Sequence, residues 1–207
     1  MTCNKGGVGV VVKNAKFFIS IGKLNQLKDF GKPEVAFIGR SNVGKSSLIN
    51  YLCNIKSLAK TGATPGRTRL INYFNINDEI YFVDLPGYGF AKGDKKEQLE
   101  WKNLIEGYLQ TSKNLKLVCL LIDIRRELND DDKKMINYLS YYNIPCAIIV
   151  TKADKFAKSK MKQEAFRIAK EAKLGIENVY VCSVTAKIGR DEILDKIGQL
   201  VGGEGNE

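Results

Sequence analysis

Gly39-Arg40-Ser41-Asn42-Val43-Gly44-Lys45-Ser46 follows the apolar run 35–38 and leads into an amphipathic stretch that starts at Lys45. The spacing is GxxxxGK[ST], and a strand before it with a helix after it is the context in which that pattern holds phosphates. The two glycines let the backbone bend around an anion. Successive N–H groups and the N-terminus of the following helix then face the negative charge. Lys45 is expected to reach the outer phosphates of a nucleoside triphosphate and Ser46 to offer its hydroxyl to Mg²⁺. Arg40, Ser41, Asn42, Val43 and Ser47 complete the loop and first helical turn around the phosphates.

Outward from this loop, short apolar runs alternate with longer amphipathic ones. The apolar runs predict strands over 35–39, 70–75, 80–85, 117–123, 147–151 and 179–183. Spacings of three and four between apolar residues predict helices over 45–53, 95–110, 131–142, 159–173 and 191–200. Four of the strands are nearly continuous apolar runs, as strands buried on both faces are. The short turn at Asn77-Asp78 makes 70–75 and 80–85 an antiparallel hairpin at one edge. The expected fold is α/β: a six-stranded, mostly parallel sheet with one antiparallel edge strand and helices on both faces. Residues 1–30 read as an N-terminal extension, 31–201 as the domain and 202–207 as a flexible tail. Ligands on such sheets bind at the carboxyl ends of the strands.

The remaining motifs fall at those ends. Asp84-Leu85-Pro86-Gly87 closes the run 80–83, where an Asp can hold Mg²⁺, usually through water, and the Gly87 amide can contact a γ-phosphate. In the polar loop before the run 70–75, Gly66, Arg67, Thr68, Arg69 and Leu70 are expected to flank the phosphates, and a threonine hydroxyl there could complete the metal shell. Thr61, Thr64 and Thr68 compete for that role on residue type alone. Thr151-Lys152-Ala153-Asp154 follows the run 147–150. Guanine presents N1–H and N2–H₂ side by side, and one carboxylate, Asp154, can accept both, whereas adenine lacks that donor pair. A site built to pair a polar edge rejects the analogue lacking it by up to ~10⁴-fold or more. Lys152 would lie along the base and brace the phosphate loop. Cys182-Ser183-Val184 ends the last strand and offers a backbone N–H to the guanine O6.

Composition narrows the chemistry. Hydrophobic residues make up 44% of the 207, enough for a full core without disulfides. The chain has no histidine, which excludes Ser/His and Cys/His nucleophilic machinery and His-ligated zinc. The five cysteines lack CxxC spacing and read as reduced, mostly buried residues of a cytoplasmic protein. The longest aliphatic run, 117–122, is far too short to span a bilayer. Thirty-three Lys plus Arg against 23 Asp plus Glu give +10, a balance that favours a polyanionic partner.

The motif order GxxxxGKS, Thr, DxxG, TKxD and a Ser-containing strand end is the pattern of translation-factor-type P-loop GTPases. Gly39 to Asn50, Thr64-Pro-Gly-Arg-Thr68, Asp84 to Lys92 and Thr151 to Lys155 further resemble the bacterial EngB (YihA/YsxC) family over roughly residues 15–200. The resemblance implies a Ras-like fold, GTP and GDP binding, and Ser46 and Thr68 as the Mg²⁺ ligands. It also implies a role in maturing the large ribosomal subunit, with a link to cell division and septation. Cys182-Ser183-Val184 departs from the Phe-Ser-Ser often found there. Lys45, Thr68 and Gly87 are the expected catalytic residues.

Many switch GTPases carry a Gln just after DxxG to orient the attacking water. Here Tyr88 stands in that place, so slow intrinsic hydrolysis is expected, with the missing group supplied by a partner or another residue. Asn42 suggests K⁺ as a supplement. Lys155, Lys158, Lys160, Lys162, Arg167, Lys170 and Lys173 after the base motif, and Lys92, Lys95, Lys96 and Lys102 after DxxG, suit salt-sensitive contact with rRNA. A monomer without stable membrane association is expected. The rival readings are a P-loop ATPase or kinase, a non-hydrolysing nucleotide-gated RNA-binding module, and a membrane-associated septation GTPase.

Overall fold

The computed structural model describes residues 9–60, 70–88 and 95–202. Among these residues seven strands form one sheet: β1 (Ala15–Ile21), β2 (Glu34–Gly39), β3 (Ile71–Ile76), β4 (Ile80–Asp84), β5 (Leu115–Asp123), β6 (Cys146–Thr151) and β7 (Val179–Val181). Four α-helices among the described residues connect strands, α1 (Lys45–Cys53), α2 (Lys95–Thr111), α3 (Asp130–Tyr141) and α4 (Lys158–Ala172), and α5 (Arg190–Val201) follows β7. The order across the sheet is β1-β3-β4-β2-β5-β6-β7.

The strand count differs from the expected six. Ala15–Ile21, within the stretch read as an extension, pairs antiparallel with β3 and forms the edge. The reversed strand β3 is therefore the second in the sheet, not the edge strand. Only at the two ends of β1 are residues buried; Phe17, Phe18 and Ile19 are exposed. The register also slips between Phe17 and Ile19, a bulge that breaks the alternation by which strands are recognised. The β3–β4 turn matches the expectation: Asn77 and Asp78 both take positive φ (55° and 58°), and the Glu79 N–H donates to the Ile76 carbonyl at 2.9 Å.

The buried strands alternate between two cores. Val35 and Phe37 of β2, Leu117, Cys119 and Leu121 of β5, and Ala147 and Ile149 of β6 meet Leu48, Ile49 and Leu52 of α1 and Ile193, Leu194 and Ile197 of α5. Their neighbours Ala36, Ile38, Val118, Leu120, Ile122, Ile148 and Val150 face Leu104, Ile105 and Tyr108 of α2, Ile136 of α3, and Ala165 and Ile168 of α4. Each face is thus covered by helices whose apolar stripes recur every three or four residues. Successive connections from β2 and β4 leave toward opposite sides of β2, which opens a crevice at its carboxyl end. No helix among the described residues is long and apolar enough to cross a membrane.

Candidate nucleotide site

β2 ends in this crevice at Gly39. A Cβ there would lie 2.8 Å from the Leu121 carbonyl oxygen and 3.0 Å from Val43 Cγ1, so only glycine lets β2 lie this close to β5 and turn. The loop then closes on itself, the Val43 N–H donating to the Arg40 carbonyl at 3.2 Å. Asn42 and Gly44 carry positive φ, 64° and 104°, which bends the chain into α1. No side chain caps the α1 N-terminus at Gly44. Its first amides, with Lys45, Ser46 and Ser47 in the opening turn, suit an anion.

The DxxG segment lies directly on this loop. Asp84, 3% exposed, pairs through its carboxylate with the Lys45 ammonium. The Leu85 N–H donates to the Phe37 carbonyl at 3.0 Å and the Tyr88 N–H to the Gly39 carbonyl at 3.2 Å, extending the β4–β2 ladder past the strand. Leu85 and Pro86 are buried. A Cβ on Gly87 would come 2.9 Å from the Gly39 carbonyl and 3.2 Å from the Ser41 nitrogen. Tyr88, in the position where a Gln would orient water, is buried and donates its hydroxyl to Asp132 of α3 at 2.7 Å. Burial first, and the Asp132 charge second, push this hydroxyl well above the usual tyrosine range. Its ring is committed to the core.

On the base side, β6 is stitched to the phosphate loop. The Thr151 hydroxyl donates to the Val43 carbonyl at 2.8 Å, with the Ile122 carbonyl at 3.2 Å. Lys152, at φ 59°, turns back so that its ammonium donates to the Asn42 carbonyl at 2.8 Å. Ala153 is buried and its N–H donates to the Cys182 carbonyl at 3.1 Å, tying this turn to the end of β7. Asp154 accepts the Ser183 hydroxyl at 2.6 Å on one oxygen and lies 3.1 Å from the Lys155 ammonium on the other. The Ser183 bond, then Lys155, hold its carboxyl below the ordinary range. Ser183 is itself fixed. Its hydroxyl accepts the Ala186 N–H at 3.0 Å and its own N–H donates to the Ile188 carbonyl at 3.1 Å. The strand accordingly ends at Val181, two residues before the expected 183. The Cys182 thiol is buried and pushed up to about 12 by desolvation.

Two residues here were not singled out from sequence. Asp123, 6% exposed at the end of β5, accepts from Arg125 Nε at 2.9 Å and Nη2 at 2.7 Å, and from Lys152 Nζ at 2.9 Å. Burial opposes its ionisation, but the Arg125 and Lys152 bonds prevail and hold its carboxyl well below the usual range. A charged residue closing a buried apolar run was the available signal. Asn50 of α1 accepts the Ala59 N–H at 2.7 Å and donates to the Ala59 carbonyl at 2.9 Å, anchoring the chain just before residue 61. Leu70, also expected at the phosphates, is half-exposed immediately before β3. Thr61, Thr64, Gly66, Arg67, Thr68, Arg69 and Lys92 lie outside the described residues.

A phosphate-type loop braced by a lysine and an adjoining carboxylate at the next strand end, on this sheet order, defines a P-loop nucleotide-binding domain. A family model described as 50S ribosome-binding GTPase matches residues 34–152. A probable GTP-binding protein EngB from Desulfosudis oleivorans is 45% identical over 193 residues, covering 93% of this chain and 98% of that protein. Another from Clostridium acetobutylicum is 46% identical over 189 residues, covering 91% and 94%. The chain belongs to the EngB family of GTP-binding proteins. The fold is similar to a crystal structure of a probable GTP-binding protein engB, with TM-score 0.68 and 24% identity over 83% of this chain and 100% of that one. It is also similar to Era in complex with MgGDPNP and nucleotides 1506–1542 of 16S ribosomal RNA, with TM-score 0.66 and 25% identity over 84% of this chain and 58% of that one.

Proposed function

We propose that this protein is a Mg²⁺-dependent GTPase switch of low intrinsic rate that assists assembly of the large ribosomal subunit, as a cytoplasmic monomer. The observation that carries the guanine assignment is Asp154 held by Ser183 beside Lys152, whose ammonium rests on the phosphate loop. In this reading the Asp154 carboxylate accepts guanine N1–H and N2–H₂, and the chain from Cys182 to Val184 supplies the amide for O6. Gly39 to Ser47 wrap the phosphates, with Lys45 on the β- and γ-phosphates, and Gly66 to Leu70 close over them. The Gly87 amide, already against the phosphate loop, senses the γ-phosphate, and its loss releases the segment.

The residues fit Mg²⁺. The Ser46 hydroxyl and Asp84 carboxylate are hard oxygen donors of the kind that ion takes. Asp84 already faces a cation, the Lys45 ammonium, beside the phosphate loop. Ser46, Thr68 and Asp84, the last through water, would hold the ion, which when bound neutralises phosphate charge. The low rate follows from Tyr88, which has neither amide nor carboxylate and is tied to α3. A partner, or K⁺ near Asn42, would supply what is missing. Equal turnover in KCl and NaCl would remove the K⁺ part. The ribosomal assignment is supported by the description of the matched family, by Era's complex with ribosomal RNA and by the charge of +10.

The deciding experiment is co-sedimentation with large-subunit precursors in GTP, GDP and no nucleotide, combined with single-turnover hydrolysis. GTP-dependent association with faster hydrolysis on the particle is expected. Association without any accelerated turnover would favour a nucleotide-gated RNA-binding module, the reading that the buried Tyr88 also permits. Equal competition of labelled GTP by ATP would overturn the nucleotide assignment itself.

A further inference from the structure

The outward face of α4 is not used by the nucleotide site. At 100° per residue, Lys162, Phe166 and Lys170 stand one turn apart along it, with Lys158 on the flank and Lys173 at the left-handed C-terminal cap. Phe166 is 61% exposed. The acidic residues of the helix lie on the other side and are consumed there. Glu164 and Glu171 both pair with Arg167, at 2.7 and 2.8 Å, while Arg167 also donates to the Arg126 carbonyl at 3.2 Å. Among the described residues, no carboxylate lies within ion-pair distance of Lys158, Lys162, Lys170 or Lys173. Upstream of the helix the Lys160 ammonium covers the Phe156 ring at 4.4 Å, whereas among the described residues no cation covers Phe166, the one aromatic of α4.

A lone exposed phenylalanine is ordinary on a protein surface. This one has a lysine a turn before it and another a turn after it. That pattern does not suit an apolar protein partner, which needs a contiguous patch, nor a bilayer, which needs a broad apolar face. It suits a chain whose repeating unit is an anion beside a π-face. Resting on the reading that the partner is ribosomal, we infer that the outward face of α4 docks single-stranded RNA, with a base stacked on Phe166 and flanking phosphates on Lys162, Lys170 and Lys173. Arg167, fixed to Glu164, Glu171 and the Arg126 carbonyl, holds the helix in place below it.

The test uses the full chain, a fluorescein-labelled 20-nucleotide unstructured RNA, purified large subunits and anionic phospholipid vesicles. Stacking on an aromatic is worth about 1–3 kcal/mol per base, so Phe166→Ala should weaken RNA binding about 5- to 150-fold, and Phe166→Tyr should restore most of it. Removing two phosphate contacts in Lys162→Gln/Lys170→Gln should lower the slope of log K against log salt by about 1.4, whereas Phe166→Ala should leave that slope unchanged. All variants should bind a fluorescent GTP analogue as the parent does. RNA affinity unchanged by Phe166→Ala overturns the inference, as does Phe166-dependent binding to vesicles without binding to RNA. If the parent protein co-sediments with large subunits and the α4 variants do so equally well, only this inference fails. If the parent does not co-sediment at all, the ribosomal reading fails first.

Discussion

Asp123→Asn isolates the contact by which the sheet positions Lys152. The carboxylate carries three bonds from cationic side chains, two from Arg125 and one from Lys152. A hydrogen bond to a charged group is worth about 1.5–3 kcal/mol. Lys152 keeps its bond to the Asn42 carbonyl, and its side chain is 31% exposed, so screening reduces what the lost charge is worth. The amide oxygen can still accept one bond, whereas the amide nitrogen would face a cation. A net loss at the low end, about 1.4 kcal/mol, raises the Kd for a fluorescent GDP analogue about tenfold. Guanine preference over adenine should survive, because Asp154 is untouched. The same substitution has a pH signature. The folded-state carboxyl titrates below its ordinary value, so its contribution to stability is complete above the unfolded value of about 3.9 and is lost as pH falls below it. Melting temperatures at pH 6 and pH 3 should therefore differ less for Asp123→Asn than for the parent chain. An unchanged Kd, or melting curves that fall in parallel with pH, would refute the reasoning.

Ser183→Ala removes the hydroxyl that fixes Asp154 and leaves the Ala186 N–H without its acceptor. About 1 kcal/mol is expected, raising the GTP Kd roughly fivefold in equilibrium titration while selectivity against ATP persists. Tyr88→Phe leaves one oxygen of the buried Asp132 short of a donor, which should destabilise the fold by about 1–3 kcal/mol in urea unfolding. Single-turnover hydrolysis should stay at the parental rate, since this side chain points under α3; a large rate change would show that Tyr88 acts on the phosphate. Gly87→Ala places a methyl 2.9 Å from the Gly39 carbonyl, and the resulting overpacking should cost about 1–3 kcal/mol in the same assay.

The motifs were legible because each is local. GxxxxGKS, DxxG and TKxD need only a strand before them and a turn after them, and every one of these segments that is described stands at the carboxyl end of its strand. What the sequence withheld depends on register. Asp123 meets Lys152 because β5 and β6 run parallel with Asp123 opposite Thr151, which puts the carboxylate one residue from the lysine. A shift of one residue in that pairing would turn Asp123 to the other face, and nothing in either run taken alone fixes the pairing. Tyr88 follows the same logic. The absence of a Gln can be read from the chain, but the destination of the ring depends on α3 crossing above it with Asp132 in its first turn. β1 escaped notice because its bulge at Phe17–Ile19 and its exposed middle erase the alternation that marks a strand. The expected nucleotide contacts therefore announce themselves by type and order. Asp123, which aims Lys152, acquires that role only from the long-range pairing of β5 with β6, as the Ser183 hydroxyl acquires its hold on Asp154 only where β7 ends beside β6, and for that reason substitutions at these two should separate affinity from specificity.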